Sequence, residues 1–291
     1  MFKKYKQKIN YLIKLGRYDN PTGALLLMWP CFWGTLVQFE NQLILLKPLI
    51  LFLTGSFIMR GAGCCINDLF DRNIDKLVKR TKSRPLAQNK LTVSEALIFI
   101  FFQLFLGLII ILQFDSKIIV LGFIVIPLVI IYPLVKRFSY FPQFVLGLIF
   151  NWGIFIGYFS LNQAFDWRIC FLYFAGVFLT ISYDTIYGFQ DIDDDKKIGV
   201  KSFSILIEKK SVFFISLFYL ISFIFFISFF FSFYENSLFN VVCCFFILSF
   251  FFLQNFQTHT SNRTKHGEYR FYLCSIFFLI LHLLNLNEEK P

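Results

Sequence analysis

Apolar residues along this chain gather into long, nearly unbroken runs separated by short linkers or by sharply charged connections. About nine runs, of roughly 17–23 residues each, are long enough to cross ~30 Å of hydrocarbon as helices. Hydropathy places them near 22–39, 44–66, 92–113, 117–135, 142–161, 169–188, 211–233, 237–256 and 270–287. Brief linkers near 40–43, 114–117 and 234–236 join neighbouring runs into hairpins. Longer polar connections at 67–91, 136–141, 189–210 and 257–269 alternate with them. The pattern predicts an all-α polytopic membrane protein with nine transmembrane helices. Residues 1–291 are read as a single domain, with 1–20 as a cytoplasmic N-terminal arm.

Charge supplies the orientation. Of the 28 Lys and Arg, 23 fall on the N-terminal arm and the longer connections, four lie on the opposite side, and Arg60 lies inside a span. By the positive-inside rule the first side is cytoplasmic. The net charge of +10 is then a topology signal, and no nucleic-acid partner is needed to explain it. No Arg- and Ser-rich leader precedes the first span, so the expected location is a bacterial inner (cytoplasmic) membrane, with the charged connections inside.

Composition narrows the class further. The chain is 57% apolar and 16% charged with 44 Phe, where soluble domains carry about 25% charged residues. That excludes an ordinary soluble enzyme, a disordered chain and a secreted disulfide scaffold. The seven cysteines are odd in number and sit in or beside apolar runs, as small packing residues do. Gly153 and Gly157 form a small-xxx-small face suited to close helix approach. Pro127 and Pro133 are expected to bend or end the fourth span.

Polar chemistry is concentrated in two places. Of eleven aspartates, eight lie in two windows: Asp68, Asp71 and Asp75, then Asp184, Asp191, Asp193, Asp194 and Asp195. Both windows fall at cytoplasmic ends of even-numbered spans, so the topology puts them at one membrane face. Asn67, Asp71 and Asp75 recur every four residues, as do Tyr183, Tyr187, Asp191 and Asp195. Such spacing stacks side chains along one helix face and predicts two facing ladders of carboxylates. Like charges at that spacing repel unless a cation lies between them. Oxygen donors without His or Cys favour Mg²⁺ or Mn²⁺, which commonly bridges carboxylates to phosphates. Lys76, Lys79, Arg80, Lys82 and Arg84 follow the first ladder, and Lys196, Lys197 and Lys201 follow the second. Carboxylates with convergent cations suit a metal–polyphosphate complex.

Arg60 stands apart because it lies within a span, two turns before Asn67 and on roughly its face. An arginine there costs ~2.5–3.5 kcal/mol on the insertion scale, which marks a functional position. Either it snorkels to the cytoplasmic interface, or it faces a polar cavity, where its guanidinium can hold a carboxylate bidentately. Gly61, Ala62 and Gly63 leave room beside it.

These residues carry a resemblance. The stretch from Arg60-Gly-Ala-Gly through Asn67-Asp-Leu-Phe-Asp71 to Asp75, running on to Arg84-Pro-Leu, resembles the first signature of the UbiA-type intramembrane prenyltransferases. Tyr183-Asp-Thr-Ile-Tyr187 through Asp191 to Asp195, followed by Lys201-Ser, is similar to the second. Within that superfamily the 4-hydroxybenzoate polyprenyltransferases of ubiquinone synthesis are the most similar. Pro21-Thr-Gly, Trp29-Pro-Cys-Phe-Trp33 and Tyr132-Pro-Leu-Val-Lys136-Arg137 add to the likeness.

The resemblance implies a helical bundle around a central cavity and Mg²⁺ held by Asn67, Asp71, Asp75, Asp191 and Asp195. Asp71 and Asp191 would be catalytic. It implies a diphosphate cradle of Arg84, Lys136, Arg137 and Lys201, and an aromatic acid bound by Arg60 and Tyr187. Polyprenyl diphosphate and 4-hydroxybenzoate are the implied substrates and the bilayer the surroundings, with no obligate protein partner. Two other readings stay open: the same chemistry on a naphthoate, homogentisate, haem or sugar-phosphate acceptor, and a transporter whose acidic ladders hold an ion.

Overall fold

The structure, a computed structural model, describes residues 2–37, 42–161 and 164–233. All regular structure among these residues is helical. An N-terminal helix α1 (Phe2–Leu15) precedes the bundle. It is followed by α2 (Thr22–Leu36), α3 (Gln42–Asp71), α4 (Val93–Ile111) and α5 (Ser116–Phe138). The chain continues through α6 (Pro142–Asn151), α7 (Gly153–Phe159) and α8 (Ile169–Gly188). Two short helices, α9 (Ile192–Ile198) and α10 (Phe203–Leu206), lead into α11 (Ser211–Phe233).

Of the seven spans expected within the described residues, six are found at full length. Six segments are long and apolar enough to cross a membrane: α3, α4, α5, α6 with α7, α8, and α11 with the turn before it. The remaining one, α2, is apolar but shorter, at 15 residues. The expected spans at 237–256 and 270–287 lie outside the described residues. Helix α3 runs past its expected end at 66 to Asp71, carrying the acidic window on the helix itself. Helix α5 continues through both Pro127 and Pro133 without ending. In a membrane-spanning helix, neighbouring groups can satisfy the carbonyls that proline leaves unpaired. Helix α4 starts at a capping box: Thr92 accepts from the Glu95 N–H while Glu95 accepts from the Thr92 N–H.

The main core brings together α2, α6, α7, α8 and α11 around Trp33, Phe150, Ile154, Leu172 and Phe226. Glycine makes the tightest crossing possible. A Cβ on Gly157 would lie 2.0 Å from the Cys31 carbonyl oxygen, and one on Gly34 would lie 2.0 Å from that of Ile154. Helices α2 and α7 therefore meet backbone to backbone, as the small-xxx-small face anticipates. A second, smaller cluster of Leu15, Cys65, Leu86, Leu91, Ala96 and Ile100 seats α1 and the 72–92 segment on α3 and α4. The four described cysteines are all free.

Candidate functional site

The two acidic windows meet. The backbone N–H of Lys79 donates to Asp194 Oδ2 at 2.9 Å, and Arg80 Nε donates to Asp191 Oδ1 at 2.9 Å, across more than a hundred residues of chain. The Lys201 N–H donates to the Lys136 carbonyl at 2.8 Å, joining the end of α5 to the same rim. The site is thus framed by the ends of α3, α5 and α8, by the 72–92 segment and by α9.

One helical expectation fails. The run Tyr183, Tyr187, Asp191, Asp195 is not a continuous helix face: α8 ends at Gly188 and Asp191 caps the start of α9. Two causes act at this point. Gly188 passes so close to α10 that a Cβ would meet Ser204 Oγ at 2.4 Å. The acids Asp193, Asp194 and Asp195 then stand in the first turn of a new helix, where its dipole favours negative charge. The four-residue step survives locally, with Asp195 N–H bonded to the Asp191 carbonyl at 2.8 Å and Asp75 N–H to the Asp71 carbonyl at 2.8 Å. Asp75 also lies past the end of α3, in a turn.

Where the sequence suggested a metal cation between the ladders, the side chains set basic groups there. Lys136 Nζ pairs with Asp71 Oδ2, and Arg84 NH1 pairs with Asp75 at 3.0 Å. Arg80 binds Asp191 while its guanidinium lies 5.3 Å over the Tyr187 ring. The charges of Lys136 and Arg80 both act on Asp195 as well. Among the described residues no three His, Cys, Asp or Glu side chains stand close enough to hold a metal ion by themselves. One acceptor is left over: Asp71 Oδ1 is buried without a hydrogen-bond partner. Burial, and then the Asp191 charge beside it, push the Asp195 carboxyl up to about 6.

Other expected residues divide. Arg137 donates to the Phe70 carbonyl at 3.0 Å, at the end of α3. Lys201 turns away from the carboxylates, donating to the Phe138 carbonyl at 3.2 Å and lying over the Tyr140 ring. Asp68 shares Arg84 with Asp75 and also pairs with Arg17. It is 1% exposed and accepts from Arg17 through both oxygens at 2.9 Å and from Arg84 at 2.9 Å.

Deeper in the bundle, Arg60 is half-buried, its Nε has no hydrogen-bond partner, and its guanidinium lies 5.6 Å over the Phe150 ring. Gly23 makes room for it: a Cβ there would stand 2.5 Å from Arg60 Nε. The Arg60 and Arg80 charges both act on Asp184, and Arg60, Asp184 and Asp71 all act on Tyr132. Asp184 and Tyr132 were not among the assigned site residues. Each carried a signal, since Asp184 is a carboxylate inside an apolar span and Tyr132 stands one turn before Lys136.

A sequence model of the UbiA prenyltransferase family matches residues 27–281. The chain belongs to this family. A mitochondrial 4-hydroxybenzoate polyprenyltransferase of Aedes aegypti is 47% identical over 198 residues, covering 67% of this chain and 45% of that protein. The chain spans about half the length of the insect relatives it matches. Solved UbiA-family structures share the fold. The apo structure of a UbiA homolog from Aeropyrum pernix K1 superimposes with a TM-score of 0.76 at 19% identity, covering 91% of this chain and 98% of that one. A homolog from Archaeoglobus fulgidus, bound to GPP and Mg²⁺, gives 0.72 at 17% identity over 95% and 99%.

Proposed function

We propose that this UbiA-family chain transfers a polyprenyl group from polyprenyl diphosphate to 4-hydroxybenzoate, at the ring carbon ortho to the hydroxyl, in ubiquinone biosynthesis. The observation that carries the reading is the stacking of two sites. A rim of carboxylates and cations gathered from remote segments lies above a half-buried arginine whose Nε is buried without a partner.

The donors suit a hard divalent ion. Asp71 has a buried, unpartnered oxygen, and Asn67, Asp75, Asp191 and Asp195 would add oxygen donors, with no His or Cys among them, once drawn closer together than they stand here. Mg²⁺ bound there would neutralise charge growing on the diphosphate as its C–O bond breaks. Arg84, Lys136 and Arg137 face the same rim and stabilise the departing oxygens, and Arg80 belongs with them. Lys201 falls outside this set.

Arg60 holds the aromatic carboxylate, orienting the ring so that its ortho carbon meets the allylic cation. Tyr187, held against Arg80, borders the ring on the rim side. The new C–C bond forms at that carbon, and its proton leaves to a carboxylate such as Asp191 or to the freed diphosphate. The apolar bundle keeps bulk water from the cation. We place the protein in a bacterial inner membrane with the rim on the inside.

Membranes containing the chain, incubated with 4-hydroxybenzoate, a polyprenyl diphosphate and Mg²⁺, should yield the C-prenylated acid by mass spectrometry. Its absence, with prenylation of a different aromatic acceptor instead, overturns the assigned substrate.

A further inference from the structure

Helix α1 has three faces, and only two of them have an evident partner. Its first face is fixed to the protein. Tyr11, Leu12 and Leu15 belong to the cluster with Cys65, Leu86 and Ala96, and Lys8 pairs with Glu95 in the first turn of α4. Lys90 lies 5.3 Å over the Tyr11 ring. These contacts fix the rotation of the helix about its own axis.

With about 100° between successive residues, Tyr5, Ile9 and Ile13 form a second stripe at four-residue steps. They are 62%, 58% and 39% exposed. The third face carries Lys6, Asn10 and Lys14, all exposed to solvent. At 14 residues α1 is ~21 Å long, too short as well as too polar to cross the bilayer.

We propose that α1 lies in the plane of the membrane, with Tyr5, Ile9 and Ile13 sunk into the inner-leaflet boundary and Lys6 and Lys14 on anionic lipid headgroups. Three observations select lipid as the occupant. Lys8 ties α1 to Glu95 at the start of α4, a helix that crosses the membrane and whose Leu97, Ile98 and Phe101 are 48%, 71% and 78% exposed. The sequence from residue 1 to 18 contains Lys3, Lys4, Lys6, Lys8, Lys14 and Arg17 and no acid, which complements an anionic leaflet. An apolar stripe flanked by lysines is the pattern of helices that lie at the interface. The inference is independent of the proposed reaction.

The test uses the full chain in bilayers of phosphatidylcholine with or without phosphatidylglycerol. A benzophenone amino acid is placed at position 9, 13 or 10 in turn. Irradiation should give lipid adducts at 9 and 13 about tenfold above those at 10. Phosphatidylglycerol should be enriched about fivefold among them, and Lys6→Gln with Lys14→Gln should abolish that enrichment. Equal lipid yields at all three positions, or cross-links from 9 and 13 to a second protein chain, overturn the membrane assignment. Enrichment that is absent, or that survives the lysine replacements, overturns the anionic-headgroup contact. As an independent measure, Ile9→Glu with Ile13→Glu should speed hydrogen exchange of the α1 amides about tenfold in bilayers, and unchanged exchange counts against burial.

Discussion

Helices α5 and α8 are of similar length, 23 and 20 residues, yet they occupy opposite surroundings. The α5 span is the most apolar of the six, and only 17% of it is buried inside the protein. The α8 span is among the least apolar, and 72% of it is buried. A soluble protein would sort them the other way. In lipid there is little hydrophobic drive to bring helices together, so small residues and hydrogen bonds decide which helix becomes central. Around α8 these are visible: Asn151 donates to Thr180 at 2.8 Å, Ser222 donates to the Ala175 carbonyl at 2.7 Å, and a Cβ on Gly176 would stand 2.1 Å from Asn151 Oδ1. The helix that bears Asp184 and Tyr187 is therefore also the helix that packing holds most firmly.

The comparison breaks first where α8 and α3 meet the rim. Asp191→Asn or Asp71→Asn should lower Mg²⁺-dependent prenyl transfer on the order of 10³-fold. Circular dichroism should show the helical content retained. Full activity in both variants would remove the rim from the mechanism. Next is the half-buried arginine. Arg60→Ala should raise the apparent KM for the aromatic acid about 10²-fold, since a charge-assisted, bidentate contact is lost, with KM for the prenyl diphosphate little changed. A KM that rises for the prenyl donor instead would move Arg60 to the diphosphate side. Arg17→Gln acts on stability rather than chemistry. It leaves buried Asp68 with Arg84 alone and should cost about 1–3 kcal/mol, read from thermal unfolding in detergent.

Much of this architecture was legible in the residues. Run length gave the six described spans and the shorter α2, whose alternation brings the ends that bear Asp71 and Asp191 to one face. What escaped depends on how each helix is rotated and on what it meets. The four-residue run from Tyr183 to Asp195 reads as one helix, because neither the close passage of Gly188 against Ser204 nor the new helix start at Ile192 is written in the spacing. The basic residues after Asp75 were visible as a cluster. That Arg80 would grip Asp191, or that Arg84 would be shared between Asp68 and Asp75, follows from distances across the fold. Asp68 shows the same limit, since its place near Asp71 in the sequence hides that it pairs with Arg17.

The smallest expected effects test the contrast between α5 and the packed interior most directly, through one substitution made in two places. In α7, Gly157→Ala sets a methyl against the Cys31 carbonyl at 2.0 Å and the Thr35 nitrogen at 2.8 Å, both backbone atoms. Helices α2 and α7 must separate to admit it, at about 1–3 kcal/mol. In α5, Gly122→Ala meets only Ile111, whose Cδ1 would lie 2.2 Å away at the free end of a flexible side chain. That side chain can turn aside into lipid, and alanine in a helix gains about 0.5–1 kcal/mol over glycine. The two terms nearly cancel, so Gly122→Ala should unfold within about 0.5 kcal/mol of the parent. Unfolding midpoints measured in one detergent decide it. If the α5 substitution costs as much as the α7 one, α5 packs against protein on that face and its apolar excess needs another explanation.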